Sequence, residues 1–197
     1  MAGYSAVSDV SNELVDVLEG GMTDPGPPEV DILDGGEVGL ASPDDPGTLR
    51  LTLYLYRLSE SGHSKNAERV TVGAGRDRAP PLALDLYYLL TAHPATGGGG
   101  SNGTEDPHLI LGRAMQVLYD RPVVEVPGSD EETYVSIYPQ SMEEVADVWN
   151  TFGNESLLPS VTYLVTPVVI ESATDERVRR VVERRIGPSG PEEGNGS

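Results

Sequence analysis

Few residues in this chain have types and spacings suited to chemistry. The three histidines, His63, His93 and His108, are scattered, and no His-x-x-x-His pair or His/carboxylate grouping offers metal-ligand spacing. Each reads as a surface or boundary residue. Cysteine is absent, which removes disulfides, thiolate metal sites and cysteine nucleophiles. The letters Gly-x-Ser-x-Gly occur once, at Gly99-Gly100-Ser101-Asn102-Gly103, inside a Gly/Ser/Asn/Thr run that reads as a loop and not as a strand-to-helix nucleophile elbow. Val72-Gly73-Ala74-Gly75-Arg76 carries two of the three glycines of a dinucleotide fingerprint, but Pro80-Pro81 forbids the helix that must follow. Gly97 to Gly100 lacks the Gly-Lys-Ser/Thr of a phosphate loop. Both glycine stretches read as loops.

Asp85 is the one carboxylate in an apolar setting. It lies in Pro80-Pro81-Leu82-Ala83-Leu84-Asp85-Leu86-Tyr87-Tyr88-Leu89-Leu90-Thr91-Ala92-His93. A buried carboxyl there acquires a raised pKa and can serve as an acid. The alternative is a carboxylate that hydrogen-bonds a neighbouring hydroxyl or sits near the sheet rim, and that reading is preferred because no second carboxylate pairs with it. No catalytic, cofactor-binding or metal-binding residue is therefore assigned.

The element that holds Asp85 is the most distinctive in the chain. Leu82, Leu84, Leu86, Tyr88 and Leu90 share one face of an extended strand; Ala83, Asp85, Tyr87, Leu89 and Thr91 share the other. Apolar residues on both faces predict a strand covered on two sides, near the centre of a sheet. The prolines before it mark its start.

Other elements are placed around that strand. Val7, Val10, Leu14, Val17 and Leu18 predict an amphipathic helix over residues 5–19, capped by Ser5 and stopped by Gly20-Gly21. Val30 to Leu33 is a short strand candidate, and Gly35 to Gly47 reads as a turn-rich connection. Thr48 to Ser59 alternates: Leu49, Leu51, Leu53 and Leu55 against Arg50, Thr52, Tyr54 and Tyr56. Its tyrosine face either packs under a helix or meets a partner, and packing is preferred. Arg69 to Val72 is an edge candidate. Ala95 to Glu105 is a Gly/Ser/Asn/Thr loop.

Asp106-Pro107 opens a second helix that ends before Pro122. Val123–Val126 and Tyr134–Tyr138 follow as short strands. Ser141-Met142-Glu143-Glu144 has capping-box form and starts a short helix with Val145, Val148 and Trp149 on its apolar side. Ser160 to Glu171 is a last strand, where Pro167 argues for an edge position or a bulge. Arg177, Arg179, Arg180, Arg184 and Arg185, interleaved with Val178, Val181, Val182 and Ile186, suggest a short basic helix. Residues 187–197 read as disordered. The expectation is one α+β domain over 1–172: a mainly antiparallel sheet of four to five strands, two to three flanking helices, and a basic C-terminal arm over 173–197.

Composition limits the partners. Asp and Glu number 32 against 13 Lys and Arg, a net charge of −19, and Lys65 is the only lysine. Such a surface resembles that of salt-accumulating halophiles, with an ordinary acidic protein as the alternative. Binding to nucleic acid or to an anionic membrane is disfavoured. No apolar run approaches a membrane span and no signal peptide is visible at the start, so a cytoplasmic protein is expected.

Three stretches in order resemble a known family: Pro80 to Leu90; Leu111-Gly112-Arg113-Ala114-Met115-Gln116-Val117-Leu118-Tyr119-Asp120-Arg121-Pro122-Val123; and Ser141 to Trp149 with Pro159-Ser160-Val161-Thr162-Tyr163. Leu53-Tyr54-Leu55-Tyr56 followed by Lys65-Asn66-Ala67 fits the same pattern. Together, over residues 5–172, they resemble the cap, or tail-terminator, family of extracellular contractile injection systems of the antifeeding-prophage and virulence-cassette type. The resemblance implies a tail-terminator-like fold and a non-enzymatic, hexameric ring that closes the inner tube and holds the last sheath layer. It implies inner-tube and sheath proteins as partners, no cofactor, and assembly in the cytoplasm into a phage-tail-like particle. Many members carry a further C-terminal domain, whereas about 25 residues follow Ser172 here.

Ring or tube contact is then expected of Tyr54, Tyr56, Lys65 and Asn66. Sheath contact is expected of Arg177, Arg179, Arg180, Arg184 and Arg185, with a solvated terminal helix as the other reading of that arm. Two alternatives remain. One is the tail-terminator or neck protein of a contractile-tailed halophilic virus. The other is a small-molecule-binding domain or enzyme built around Asp85.

Overall fold

Leu86 to Ala92 are buried one after another, as a strand covered on both faces requires. The computed structural model describes residues 3–23, 33–62, 70–73, 76–95, 105–129, 131–153, 156–173 and 175–177. In chain order the elements are α1 (Ala6–Thr23), β1 (Val38–Leu40), β2 (Leu51–Glu60), β3 (Val70–Gly73), β4 (Arg76–Arg78), β5 (Leu82–Ala92), α2 (Glu105–Asp120), β6 (Val123–Val124), β7 (Thr133–Ile137), α3 (Met142–Trp149), β8 (Ser160–Ile170) and β9 (Asp175–Arg177). The expected α+β class holds. The main sheet has six strands rather than four or five, in the order β1-β2-β5-β8-β7-β6, and β3-β4-β9 form a second sheet. Every pairing is antiparallel except β1 with β2.

β5 takes the central place its sequence called for. On one face, Leu86, Tyr88 and Leu90 meet Leu51, Leu53, Tyr163 and Val165 from neighbouring strands. Helices α1 and α2 close this side with Val10, Leu14, Leu18, Met22, Ile110 and Ala114. Each fully buried large side chain contributes on the order of 1.5–3 kcal/mol. The Tyr88 hydroxyl shares a 2.8 Å hydrogen bond with Ser11 Oγ, whose own hydrogen reaches the Val7 carbonyl. Burial pushes the Tyr88 phenol up to about 12.

Helix α1 runs past its expected stop, through Gly20-Gly21 to Thr23. The reason is tertiary. A Cβ on Gly21 would stand 2.4 and 2.6 Å from the two methyls of Val117, so this glycine sets the approach of α2 rather than ending α1. Arg113 of α2 donates from Nε to the Gly21 carbonyl at 3.0 Å, supplying a partner to the last turn of α1.

Pro167 was expected at an edge or a bulge. The edge is wrong, because β8 lies between β5 and β7. The bulge is right: the β5–β8 register shifts between Leu84↔Val168 and Leu86↔Val165, and the missing proline N–H falls in that irregularity. The carbonyl of Pro167 accepts from Thr133 Oγ1 at 2.8 Å. Three short strands were not foreseen. β1 lies in the stretch read as a connection, β4 in a polar run, and β9 in the C-terminal arm, meeting the segment read as a helix only at Arg177. Residues 24–32, and with them most of the Val30–Leu33 candidate, lie outside the described residues, as does 178–197.

Candidate functional site

The tyrosine face of β2 is covered from within the chain. Its neighbour on β5, Leu89, lies under α3 and the short turn Asn150–Phe152, where Leu89, Trp149 and Phe152 form a second, smaller core. Tyr54 meets Phe152 edge-on with centroids 5.4 Å apart. Tyr56 faces Tyr87, which in turn faces Tyr138 at 4.9 Å, and Arg57 stacks its guanidinium 4.6 Å from the centre of the Tyr87 ring. Gln140 ties the group together: its Nε2 donates to the Tyr56 hydroxyl at 3.1 Å and its Oε1 accepts from Thr162. Burial holds the Tyr56 phenol above its usual range.

A capping box explains how α3 reaches this face. Ser141 accepts from the Glu144 backbone N–H while the Glu144 carboxylate accepts from the Ser141 N–H at 2.8 Å. The Ser141 N–H first, and the Ser141 hydroxyl donating at 3.0 Å second, hold the Glu144 carboxyl below its usual range.

Asp85 is held by a neighbouring hydroxyl. Its Oδ1 accepts from Thr166 Oγ1 at 2.5 Å, across the register shift of β5 and β8. This is the neighbouring-hydroxyl arrangement expected of a structural carboxylate. Among the described residues no group of three His, Cys, Asp or Glu side chains is arranged to hold a metal ion.

His93 is expected at the surface or its boundary but is buried, 4 % exposed. Its Nε2 lies 2.9 Å from Thr52 Oγ1, its backbone N–H donates to the Arg50 carbonyl, and Arg50 Nε donates back to the His93 carbonyl. Arg50 also reaches Asp106 at 2.5 Å, pinning the start of α2. Asp106, in the first turn of α2, is thus held by the residue that precedes β2. His108, also on α2, is exposed, and His63 lies outside the described residues.

Desolvation first, and the Arg50 charge second, lower the His93 pKa from 6.5. The unfolded chain therefore binds more protons than the folded one as pH falls below about 6.5. His93 contributes full stability above that value and loses it as pH drops toward the folded pKa. Thermal unfolding midpoints across this window are expected to fall more steeply for the wild type than for His93→Gln, which keeps a hydrogen-bonding side chain but does not titrate. Identical slopes would remove His93 as the cause.

Both lateral edges of the main sheet are partly open. β1 pairs only with Leu51–Leu53, so no described strand covers the outer edge of β2 from Tyr54 to Glu60. On the opposite side β6 pairs only with Thr133 and Tyr134 of β7. Next to the uncovered end of β7 lies an apolar groove of about 490 Å3 between Met115, Leu118, Tyr119, Pro122, Ile137 and Tyr163. Tyr119 is 84 % and Ile137 51 % exposed. A second groove lies over β6 and the turn beyond it. Open edges and exposed apolar residues suit self-association. They could not be read from the sequence, because they depend on how short the covering strands are.

Of the residues expected to make contacts, Tyr54 and Tyr56 are half-buried as above, and Arg177 ends β9. Lys65, Asn66, Arg179, Arg180, Arg184 and Arg185 lie outside the described residues. No helix among the described residues is long and apolar enough to cross a membrane.

A six-stranded mixed sheet with α1 and α2 on one face and α3 on the other, together with a separate three-stranded sheet, defines an α+β domain. The family described as the Pvc16 N-terminal domain matches residues 9–184, and the chain belongs to that family. No curated protein sequence matches it.

Two cryo-EM structures share the fold. One is the sheath/tube terminator of PVC, an extracellular contractile injection system, in its extended state: TM-score 0.58 and 16 % identity, covering 94 % of this chain and 65 % of that one. The other is the anti-feeding prophage cap, a tube-terminating cap: TM-score 0.60 and 16 % identity, covering 92 % of this chain and 60 % of that one. This chain therefore spans less than two thirds of the length of both. The resemblance read from Pro80–Leu90 and its companion stretches agrees with this membership.

Proposed function

We propose that this chain is a cap that ends the tube and sheath of a contractile injection particle. It acts by binding and shape and not by catalysis. The observation that carries the reading is that the fold follows the sheath/tube terminator over 94 % of this chain. In this reading six copies form a ring on the distal end of the inner tube. The ring stops tube growth and anchors the last layer of sheath while the rest contracts. Residues 1–172 are the cap domain and 173–197 a basic arm that meets an acidic surface of the assembly. Assembly takes place in the cytoplasm.

The fold suits this role. A heterologous ring needs two different surfaces on each subunit, and the sheet offers two open edges, one at β2 and one at β7. Negative-stain imaging at high salt, with and without the tube protein, tests the proposal. Six-fold rings, free or on tube ends, are expected. A strict monomer at every concentration and salt that also ignores tube ends would overturn it. If the acidic surface is a halophilic adaptation, the unfolding midpoint rises steadily with molar KCl as like charges are screened; a flat profile would argue for an ordinary acidic protein.

A further inference from the structure

The charge of the chain is divided in an uneven way. Residues 177–186 hold five arginines and one glutamate, a net +4, which leaves −23 on the rest of a chain whose total is −19. Within that segment Val178, Val181, Val182 and Ile186 recur at helical spacing. It therefore carries an apolar stripe flanked by guanidinium groups.

A matching surface lies at the β6 edge of the main sheet. The groove there, of about 510 Å3, is lined by Val123, Val126 and Pro127 and by Glu13, Glu125, Glu131 and Glu132; Val123 is the exposed valine, whereas Val126 turns into the core. Glu13 comes from α1; the others flank β6 and the turn into β7. Glu132 accepts from the Tyr134 hydroxyl, and none of Glu13, Glu125 and Glu131 forms an ion pair with a described residue. Val123 is partly exposed, and β6 has no described strand on its outer side. The groove thus combines apolar lining, carboxylate rim and a sheet edge, the counterpart of an apolar stripe flanked by arginines.

The arm begins at the second sheet: in the β4–β9 pair, Arg78 is paired with Asp175 and Arg76 with Arg177. Asp175 is five residues from the end of β8 and Arg177 seven, and nine residues in helical form rise only about 13 Å. An arm of that length, anchored at β9, suits the groove of an adjoining copy.

We infer that residues 177–186 of one copy dock into the β6 groove of a second copy, with the valine stripe on the exposed Val123 and the arginines on the glutamate rim. The inference rests on the proposed self-assembling cap and names one of its subunit contacts. The partner of the arm is then another cap subunit rather than the sheath. Such an arm-into-groove contact is heterologous, and repetition generates a closed ring where the rotation permits.

The absence of cysteine makes the test clean, since introduced thiols have no native competitor. Two full-length single variants, Glu131→Cys and Val182→Cys, are mixed and oxidised, with Ser141→Cys replacing Glu131→Cys as the control on the opposite side of the sheet. Because each chain carries one thiol, a mixed disulfide can form only between copies. The expected yield is at least about tenfold above the control pair, and it falls toward the control when Arg180→Glu and Arg184→Glu are added to the arm chain. A yield equal to the control, whether because the arm stays on its own subunit or meets another protein, would overturn the proposal. Imaging of the same samples separates the two readings. Six-fold rings with control-level crosslinking leave the cap standing and remove this contact, whereas strong crosslinking in dimers or open filaments keeps the contact and removes the hexameric ring.

Discussion

Gly21→Ala is expected to destabilise the protein by about 2 kcal/mol, while Gly20→Ala one residue earlier should stabilise it by up to about 1 kcal/mol. Both glycines lie inside α1, and both substitutions gain the same helix propensity. Their surroundings differ. Nothing lies within 4 Å of a Cβ built on Gly20. On Gly21 it would stand 2.4 and 2.6 Å from the Val117 methyls and 3.1 Å from Val117 Cβ. Val117 is β-branched and in a helix, so it has essentially one rotamer and cannot swing its methyls aside. The helices must therefore separate, and the overpacking cost of roughly 1–3 kcal/mol, here at its upper end, exceeds the propensity gain of about 1 kcal/mol. Urea unfolding measures both. Val117→Ala added to Gly21→Ala should recover part of the loss, because it removes the two methyls that clash. Equal effects at the two glycines would mean that α1 and α2 do not pack this closely.

That contrast also shows where the fold was legible in the sequence. β5 could be read because both of its faces are apolar, and α3 because its cap and apolar side are encoded within nine residues. The end of α1 could not. A glycine that stops a helix and one that admits a neighbouring helix look alike until Val117, 96 positions away, is placed against it. His93 was misplaced for a similar reason: its partners Thr52 and Arg50 come from β2 and the residue before it, some 40 positions earlier. The strands β1, β4 and β9 span three residues each, too short for alternation to show.

The contact surfaces were less legible still. Tyr54 and Tyr56 could be seen as a face, but whether α3 or a second subunit covers it depends on where Trp149 goes. The arginines of the arm were visible as a charge reversal, yet the groove over β6 exists only once α1 and the β6–β7 turn are brought together. The family resemblance supplied what local patterns could not, since order and spacing over the whole chain carry information that no single motif holds.

Trp149→Ala should cost about 3–5 kcal/mol, the largest effect of any single truncation on the α3 side of the sheet. Trp149 is 5 % exposed, packs edge-on against Phe152 at 5.7 Å, and shares the small core with Leu89. Helix α3 has eight residues, and Val145 and Val148 are only partly buried. A helix of that length is marginal without tertiary packing, so the capping box alone will not hold it on the sheet. Loss of the indole is therefore expected to release α3 before the rest unfolds, with hydrogen exchange rising in 142–152 well before it rises in α1.

Trp149→Phe separates packing from polarity. The indole Nε1 is buried with no hydrogen-bond partner among the described residues, and an unpaired buried donor costs roughly 1–3 kcal/mol. Phenylalanine removes that donor while keeping an aromatic ring against Phe152, so its loss should stay under about 1.5 kcal/mol despite the smaller volume. Urea unfolding followed by far-UV circular dichroism compares the three proteins, since the variants lack the only tryptophan. If phenylalanine proves as damaging as alanine, the indole nitrogen has a partner and the stability of this face depends on a hydrogen bond; if alanine costs under about 1 kcal/mol, the α3 layer is not what covers β5.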